Sequence, residues 1–132
     1  MKALLIDDHA LFRAGLSGLL ERRGIEVVGS VGSGEEGIGI LESLSPDIIL
    51  LDLRMPEKSG LDVLDALPTE QSDVPVVILT TSADENDLAN ALRKGARGYL
   101  MKDMEPDDLV VALQEIKAGK TVVAPGLTGV LA

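Results

Sequence analysis

Five short apolar runs recur along the chain: ALLI (3–6), IEVVGSV (25–31), DIILLDL (47–53), VVILT (76–80) and GYLM (98–101). Each is too short for a buried helix and is followed by a stretch whose apolar residues repeat at helical spacing. From His9 to Arg23 the repeat falls on Phe12, Leu16, Leu19 and Leu20, and Gly24 then closes the helix as a C-terminal cap. Ser33 and Glu36 form a capping-box pair opening a second helix that runs to about Leu44. A third helix is predicted over 60–67, followed by a loop holding Pro68 and Pro75. A fourth helix is predicted over 84–94, carrying Leu88, Ala91 and Leu92, and a fifth over 105–118, carrying Leu109, Leu113 and Ile116. Strictly alternating strands and helices predict an α/β domain: a parallel sheet joined by right-handed crossovers and covered by helices on both faces. DIILLDL is the most continuously apolar run, as a central parallel strand should be.

The chain has 132 residues, the size of one compact domain. Its only aromatic residues are Phe12 and Tyr99, so the core must be aliphatic. With no cysteine, disulfides and thiolate metal sites are excluded, and a single histidine argues against a zinc site built on histidines. A formal net charge of −10 makes the chain a poor reader of nucleic acid by itself, because phosphate is held mainly by Lys and Arg. No run approaches the ~20 apolar residues needed to span a bilayer, and Met1-Lys2 is followed by too few apolar residues for a signal peptide. The expectation is a soluble, cytoplasmic protein with no membrane partner.

The chemistry gathers at the strand ends. Asp7 and Asp8 follow the first strand, Asp52 ends the third, Thr80 ends the fourth, and Lys102 follows the fifth. In an open parallel sheet all of these face one edge, where ligands bind beyond the carboxyl ends of the strands. Three carboxylates in one pocket repel one another unless a counter-charge joins them. A hard divalent cation suits them, and magnesium takes one or two carboxylates while leaving positions for phosphate oxygens. A carboxylate beside such an ion can act as a nucleophile toward phosphorus and form an aspartyl-phosphate. Lys102 adds a second positive point, and Thr80 offers a hydroxyl to a phosphoryl oxygen. His9 is expected to begin the first helix in solvent and is not cast as a phosphodonor.

The segments LLIDDH, ILLDLRMPEKSG, VVILTTSADE and GARGYLMKDMEPDDL together resemble the receiver domain of two-component response regulators, over residues 2 to 118. The DDH start and the GYLMKDMEPDDL segment are most similar to the NarL type, whose members carry a C-terminal LuxR-class helix-turn-helix domain. The resemblance implies a doubly wound, five-stranded, flavodoxin-like sheet of order 2-1-3-4-5. It implies Asp52 as phosphoacceptor and Asp8, Asp52 and the backbone carbonyl of Arg54 as Mg²⁺ ligands, with Asp7 reaching the ion through water. It implies Thr80 as the switch hydroxyl, Lys102 as the phosphate-pairing cation, and Tyr99 as an aromatic switch that rotates inward when Thr80 moves. Met55-Pro56 and Gly60 would shape the loop after the acceptor, and Arg54 and Ser82 stand where the lifetime of the phosphorylated state is tuned. One departure is visible: Asp103, not proline, follows Lys102.

On this reading residues 1–119 form the receiver and 120–132 a linker or stub toward a C-terminal effector domain. A sensor histidine kinase would donate the phosphoryl group, phosphorylation could drive homodimerisation, and DNA would be reached only through the effector domain. A stand-alone receiver acting by protein contact is the alternative output. A phosphohydrolase forming an aspartyl-phosphate is the rival from another class. Dehalogenase-type phosphatases need a second Asp two positions after the nucleophile, and Arg54 stands there.

Overall fold

The computed structural model describes residues 1–56, 58–67 and 73–127. Pro68 of the predicted loop and the last five residues of the predicted 120–132 linker lie outside the described residues. The alternation of the sequence becomes β1 (Lys2–Ile6), α1 (Ala10–Arg22), β2 (Glu26–Val31), α2 (Gly34–Leu44), β3 (Ile48–Leu51), α3 (Gly60–Ala66), β4 (Val76–Thr80), α4 (Glu85–Arg93), β5 (Gly98–Met101) and α5 (Pro106–Lys117). One element was not foreseen, a two-residue strand β6 (Val122–Val123).

The sheet is parallel throughout and its order is β2-β1-β3-β4-β5-β6. The expected order 2-1-3-4-5 is therefore correct for five strands, and the strand count is corrected to six. Two residues give no periodic signal, and the Pro125 and Gly126 that follow read as a loop. Pairing with β5 forms the strand: Gly98 aligns with Val122 and Tyr99 with Val123. Just beyond it, Ala124 and Leu127 are buried in the same core cluster as Tyr99.

Side chains alternate across the sheet, which splits the core in two. Leu4, Ile6, Ile49, Leu51, Val76 and Ile78 point to the side of α2, α3 and α4, where they meet Leu41, Val63 and Leu88. Ala3, Leu5, Ile48, Leu50, Val77 and Leu79 point to the side of α1 and α5, where they meet Leu16, Leu20, Leu113 and Ile116. Strands buried on both faces have no polar alternation to show, which is why these runs are continuously apolar in sequence.

Helix starts follow local chemistry. Ser33 caps α2, its hydroxyl accepting the Glu36 N–H at 3.2 Å, but Glu36 returns to the Ser33 hydroxyl rather than to its backbone. The reciprocal box belongs instead to Ser59 and Asp62 at the start of α3. Asp84 caps α4 by accepting from Asn86 and Asp87. Gly24 adopts φ +83°, the left-handed conformation that ends α1 and releases the chain into β2. No described helix is long and apolar enough to cross a membrane.

Candidate functional site

β1 and β3 are adjacent but β2 lies outside β1, so the strand order reverses between β1 and β3. The chains leaving these two strands diverge there and leave a crevice. β1 ends one residue before Asp7, whose N–H still donates to the Val31 carbonyl at 3.1 Å. β3 ends before Asp52, whose N–H donates to the Ile6 carbonyl at 2.9 Å. The strand is thus shorter than the 47–53 expected, because Asp52 already turns toward the loop while keeping one bond to β1.

The pocket brings together Asp7, Asp8, Asp52 and Lys102, all predicted from the sequence. Lys102 Nζ lies 2.9 Å from Asp7 Oδ2 and 3.4 Å from Asp52 Oδ2. Its side chain is only 10% exposed, and the ammonium stands 4.5 Å above the Phe12 ring, a cation–π contact. Asp52 is 3% exposed. Burial, and then the negative charge of Asp7, push its carboxyl above the ordinary aspartate range, while Lys102 and His9 pull it back. Asp7 is held from both sides. Its carboxylate accepts the His9 N–H at 2.8 Å, and its carbonyl accepts from the Arg13 guanidinium.

Two oxygens decide what the pocket can hold. Asp8 Oδ1 and Asp52 Oδ2 are buried without a hydrogen-bond partner. An unsatisfied buried carboxylate oxygen is costly, and here both belong to one cluster. Single ligand atoms of Asp7, Asp8, His9 and Asp52 all lie within 4.8 Å of one another. Hard oxygen donors crowded this closely fit a divalent cation.

The loop after Asp52 is set by Gly60. A Cβ there would stand 2.5 Å from the Asp52 carbonyl oxygen and 3.0 Å from Leu53 Cα. Only glycine lets α3 start so close to the end of β3, and the Gly60 N–H donates to the Leu53 carbonyl at 2.8 Å.

Thr80 and Tyr99 form a second group beside the pocket. Thr80 is fully buried at the end of β4, and its hydroxyl accepts the Ser82 N–H at 3.1 Å. Tyr99 is likewise fully buried, and its hydroxyl donates to the Ser82 carbonyl at 2.9 Å. Both residues therefore act on one point of the β4–α4 loop. Burial raises the Tyr99 phenol further above its ordinary range, so it stays a donor. The rotamer is the inward one. Arg54 sends its side chain away from the pocket to Asp87 of α4, which also accepts from the Ser82 hydroxyl at 2.7 Å.

Sequence reasoning missed three participants. His9 begins α1 and is exposed, as expected, but its ring nitrogen also turns toward the carboxylates, which was not foreseen. Phe12 packs against the core as its place in the repeat implied, and its ring also floors Lys102. Asp87 was not singled out in the sequence, but it ties α4 to Arg54 and Ser82. For His9 a signal was present: it follows directly on the two acids.

Comparison with known proteins fits this geometry. Residues 3–114 match the response regulator receiver domain family. The chain is 48% identical over 130 residues to the nitrate/nitrite response regulator protein NarL of Escherichia coli K12, covering 98% of this chain and 60% of that protein. It is 43% identical over 132 residues to the nitrate/nitrite response regulator protein homolog of Haemophilus influenzae, covering 99% and 64%. The chain thus spans about three fifths of the length of these relatives. Among solved structures it superposes on a LuxR-family two-component response regulator from Aurantimonas sp. SI85-9A1 with a TM-score of 0.91 at 29% identity, covering 97% and 92% of the two chains. The receiver domain of NarL from Mycobacterium tuberculosis gives a TM-score of 0.83 at 30% identity, covering 90% and 97%.

Proposed function

Since the chain belongs to the response regulator receiver domain family, of the NarL type, we propose that Asp52 is its phosphoacceptor and that phosphorylation switches a C-terminal DNA-binding domain. The observation that carries this reading is Asp52 Oδ2: buried, without a hydrogen-bond partner, and facing Lys102 at 3.4 Å. A carboxylate so placed has a lone pair to offer and a cation beside it for the charge that arrives.

The donor is a phosphohistidine of a sensor kinase. An Asp52 carboxylate oxygen attacks phosphorus, the new O–P bond forms as the N–P bond breaks, and the bonding pair returns to the imidazole, which takes up a proton. Magnesium, held by Asp8, Asp52 and the Arg54 carbonyl with Asp7 reaching it through water, would supply the positive charge that offsets the phosphoryl oxygens. Lys102 pairs with one of those oxygens, exchanging a contact with Asp52 for one with the phosphoryl group. Thr80 gives up the Ser82 N–H and donates its hydroxyl to another. Because Ser82 is also the partner of Tyr99, this exchange shifts the β4–α4 loop and the seat of the aromatic ring together. Tyr99 is inward here, the position that phosphorylation would stabilise. Arg54 and Ser82, both bonded to Asp87, stand at the positions that would tune how long the phosphoryl group persists.

Phosphorylation acts by population shift. Moving the active conformer from about 1% to 99% requires about 5.5 kcal/mol of preference, and a dimer interface can share it. We place the receiver at residues 1–119 and take 120–132 to lead toward the effector domain, with residues up to Leu127 seated on the sheet. The output is transcriptional, since a chain of net charge −10 is not itself the DNA reader. The protein signals; its own chemistry is limited to taking the phosphoryl group and losing it slowly to water.

Intact-mass spectrometry after incubation with acetyl phosphate tests this, with and without Mg²⁺, on wild type and Asp52→Asn. One added phosphoryl group that needs Mg²⁺ and is absent from the variant is expected. An unlabelled wild type, or a variant labelled equally well, would overturn the assignment.

A further inference from the structure

The His9 ring has an unusual set of neighbours. Nδ1 stands 3.0 Å from Asp7 Oδ1, 3.4 Å from Asp8 Oδ1, 3.5 Å from Asp52 Oδ2 and 3.4 Å from Lys102 Nζ. Helix capping does not explain this placement. His9 is the N-cap of α1, a position that favours Ser, Thr, Asp or Asn, yet its side chain makes no cap hydrogen bond. The ring is instead turned over the crevice, with its backbone pinned by the bond to Asp7.

The spacing matches that of donors sharing one ion. Neighbouring donors around a first-row divalent ion, with bonds of ~2.0–2.2 Å, lie roughly 3–3.5 Å apart. The three distances from His9 to carboxylate oxygens fall in that interval, and Lys102 is the cation those groups share in the metal-free pocket. Two of the three oxygens are the buried atoms that lack hydrogen-bond partners, and Asp52 is almost wholly buried.

We propose that His9 is a nitrogen donor to the cation in this pocket. By adding an imidazole to the carboxylates it makes the site favour Zn²⁺, Ni²⁺ and Co²⁺ over Mg²⁺ more strongly than oxygen donors alone would. Magnesium is a hard ion that prefers oxygen and gains little from an imidazole, whereas zinc, nickel and cobalt gain a good ligand. The consequence is a metal-dependent control on the receiver. An ion held by His9 and Asp52 together would occupy the oxygen that must attack phosphorus. This inference rests on the cation-binding reading of the pocket given above.

The chain suits the test, because His9 is its only histidine and it contains no cysteine. Any imidazole signature in a bound metal's spectrum therefore comes from His9 in the untagged protein. Calorimetric titration with Ni²⁺ and with Mg²⁺ is compared for wild type and His9→Ala, and the visible spectrum of bound Co²⁺ is recorded for both. Expected is a loss of about tenfold or more in Ni²⁺ affinity on substitution, with Mg²⁺ affinity unchanged within about twofold. The Co²⁺ ligand-field bands should shift as well. An unchanged Ni²⁺-to-Mg²⁺ ratio, or identical Co²⁺ spectra, would overturn the proposal. The His9 side chain is 59% exposed, so the variant should fold, and a thermal melt checks that it does. Mg²⁺-dependent labelling of both proteins by acetyl phosphate separates the two readings. Normal labelling with unchanged selectivity removes His9 alone, and absent labelling in wild type removes the receiver chemistry whatever the selectivity.

Discussion

Asp52 and Lys102 are each costly to bury alone, and their energetics can be read by removing them separately. The Asp52 carboxyl titrates above its ordinary range because burial and Asp7 disfavour its charge. A group whose folded value is raised stabilises the fold fully below its unfolded value, and that contribution is lost as pH rises through the folded value. In metal-free protein, wild type should therefore lose stability relative to Asp52→Asn as pH climbs from the ordinary carboxylate range through the raised one. Above that window the variant should be the more stable by roughly 1–3 kcal/mol, the cost of an unsatisfied buried carboxylate. Thermal melts of both proteins across this range, in a chelator, check it; parallel curves would contradict the burial argument. Lys102→Ala has the opposite sign. It leaves Asp7 and Asp52 facing each other without their shared cation, a loss on the order of 3 kcal/mol. Mg²⁺ should recover much of that loss by binding only the folded state, and urea denaturation with and without the ion measures both effects.

Among the elements, the start of α3 is the most tightly constrained, because Gly60 meets backbone rather than a movable side chain. Gly60→Ala must push α3 away from the end of β3. It should cost about 1–3 kcal/mol and slow phosphoryl transfer to Asp52, whose carbonyl it displaces. Gly39→Ala is the control: nothing lies within 4 Å of a Cβ there, and in the middle of α2 alanine should be neutral or stabilising by up to about 1 kcal/mol. Chemical denaturation and a labelling time course on both variants separate crowding from helix propensity. The same comparison shows what a sequence can carry. The five β–α units were legible because period and capping chemistry are local, so Ser33 and Gly24 announce their helices' ends. The acids and Lys102 were legible because strand ends converge in any parallel sheet. The Phe12 ring under Lys102, and Asp87 between Arg54 and Ser82, were not legible. Each depends on the crossing of two elements far apart in sequence, and neither residue breaks its helix's pattern. The switch role proposed for Tyr99 came only from resemblance. Its inward seat comes from a hydrogen bond to Ser82, 17 residues away.

Across the whole molecule, the acidic pocket and the C-terminal segment lie on one path. Thr80 and Tyr99 share Ser82, and the Tyr99 carbonyl accepts the Ala124 N–H at 2.9 Å. A rearrangement around Thr80 would thus reach the C-terminal segment through two strands and one loop. The short β6 has a second consequence, which concerns solubility. A bare parallel edge offers unpaired N–H and C=O groups as a template for other chains. Here the edge of β5 is covered: the Val122 N–H donates to the Arg97 carbonyl at 3.1 Å, and Ala124 and Leu127 close the apolar margin beneath. A chain ended after residue 119 should therefore self-associate and scatter light at concentrations where one ended after residue 127 stays monodisperse. Size-exclusion chromatography with light scattering on the two truncations decides it. If the shorter one is equally well behaved, the edge is guarded by something other than β6.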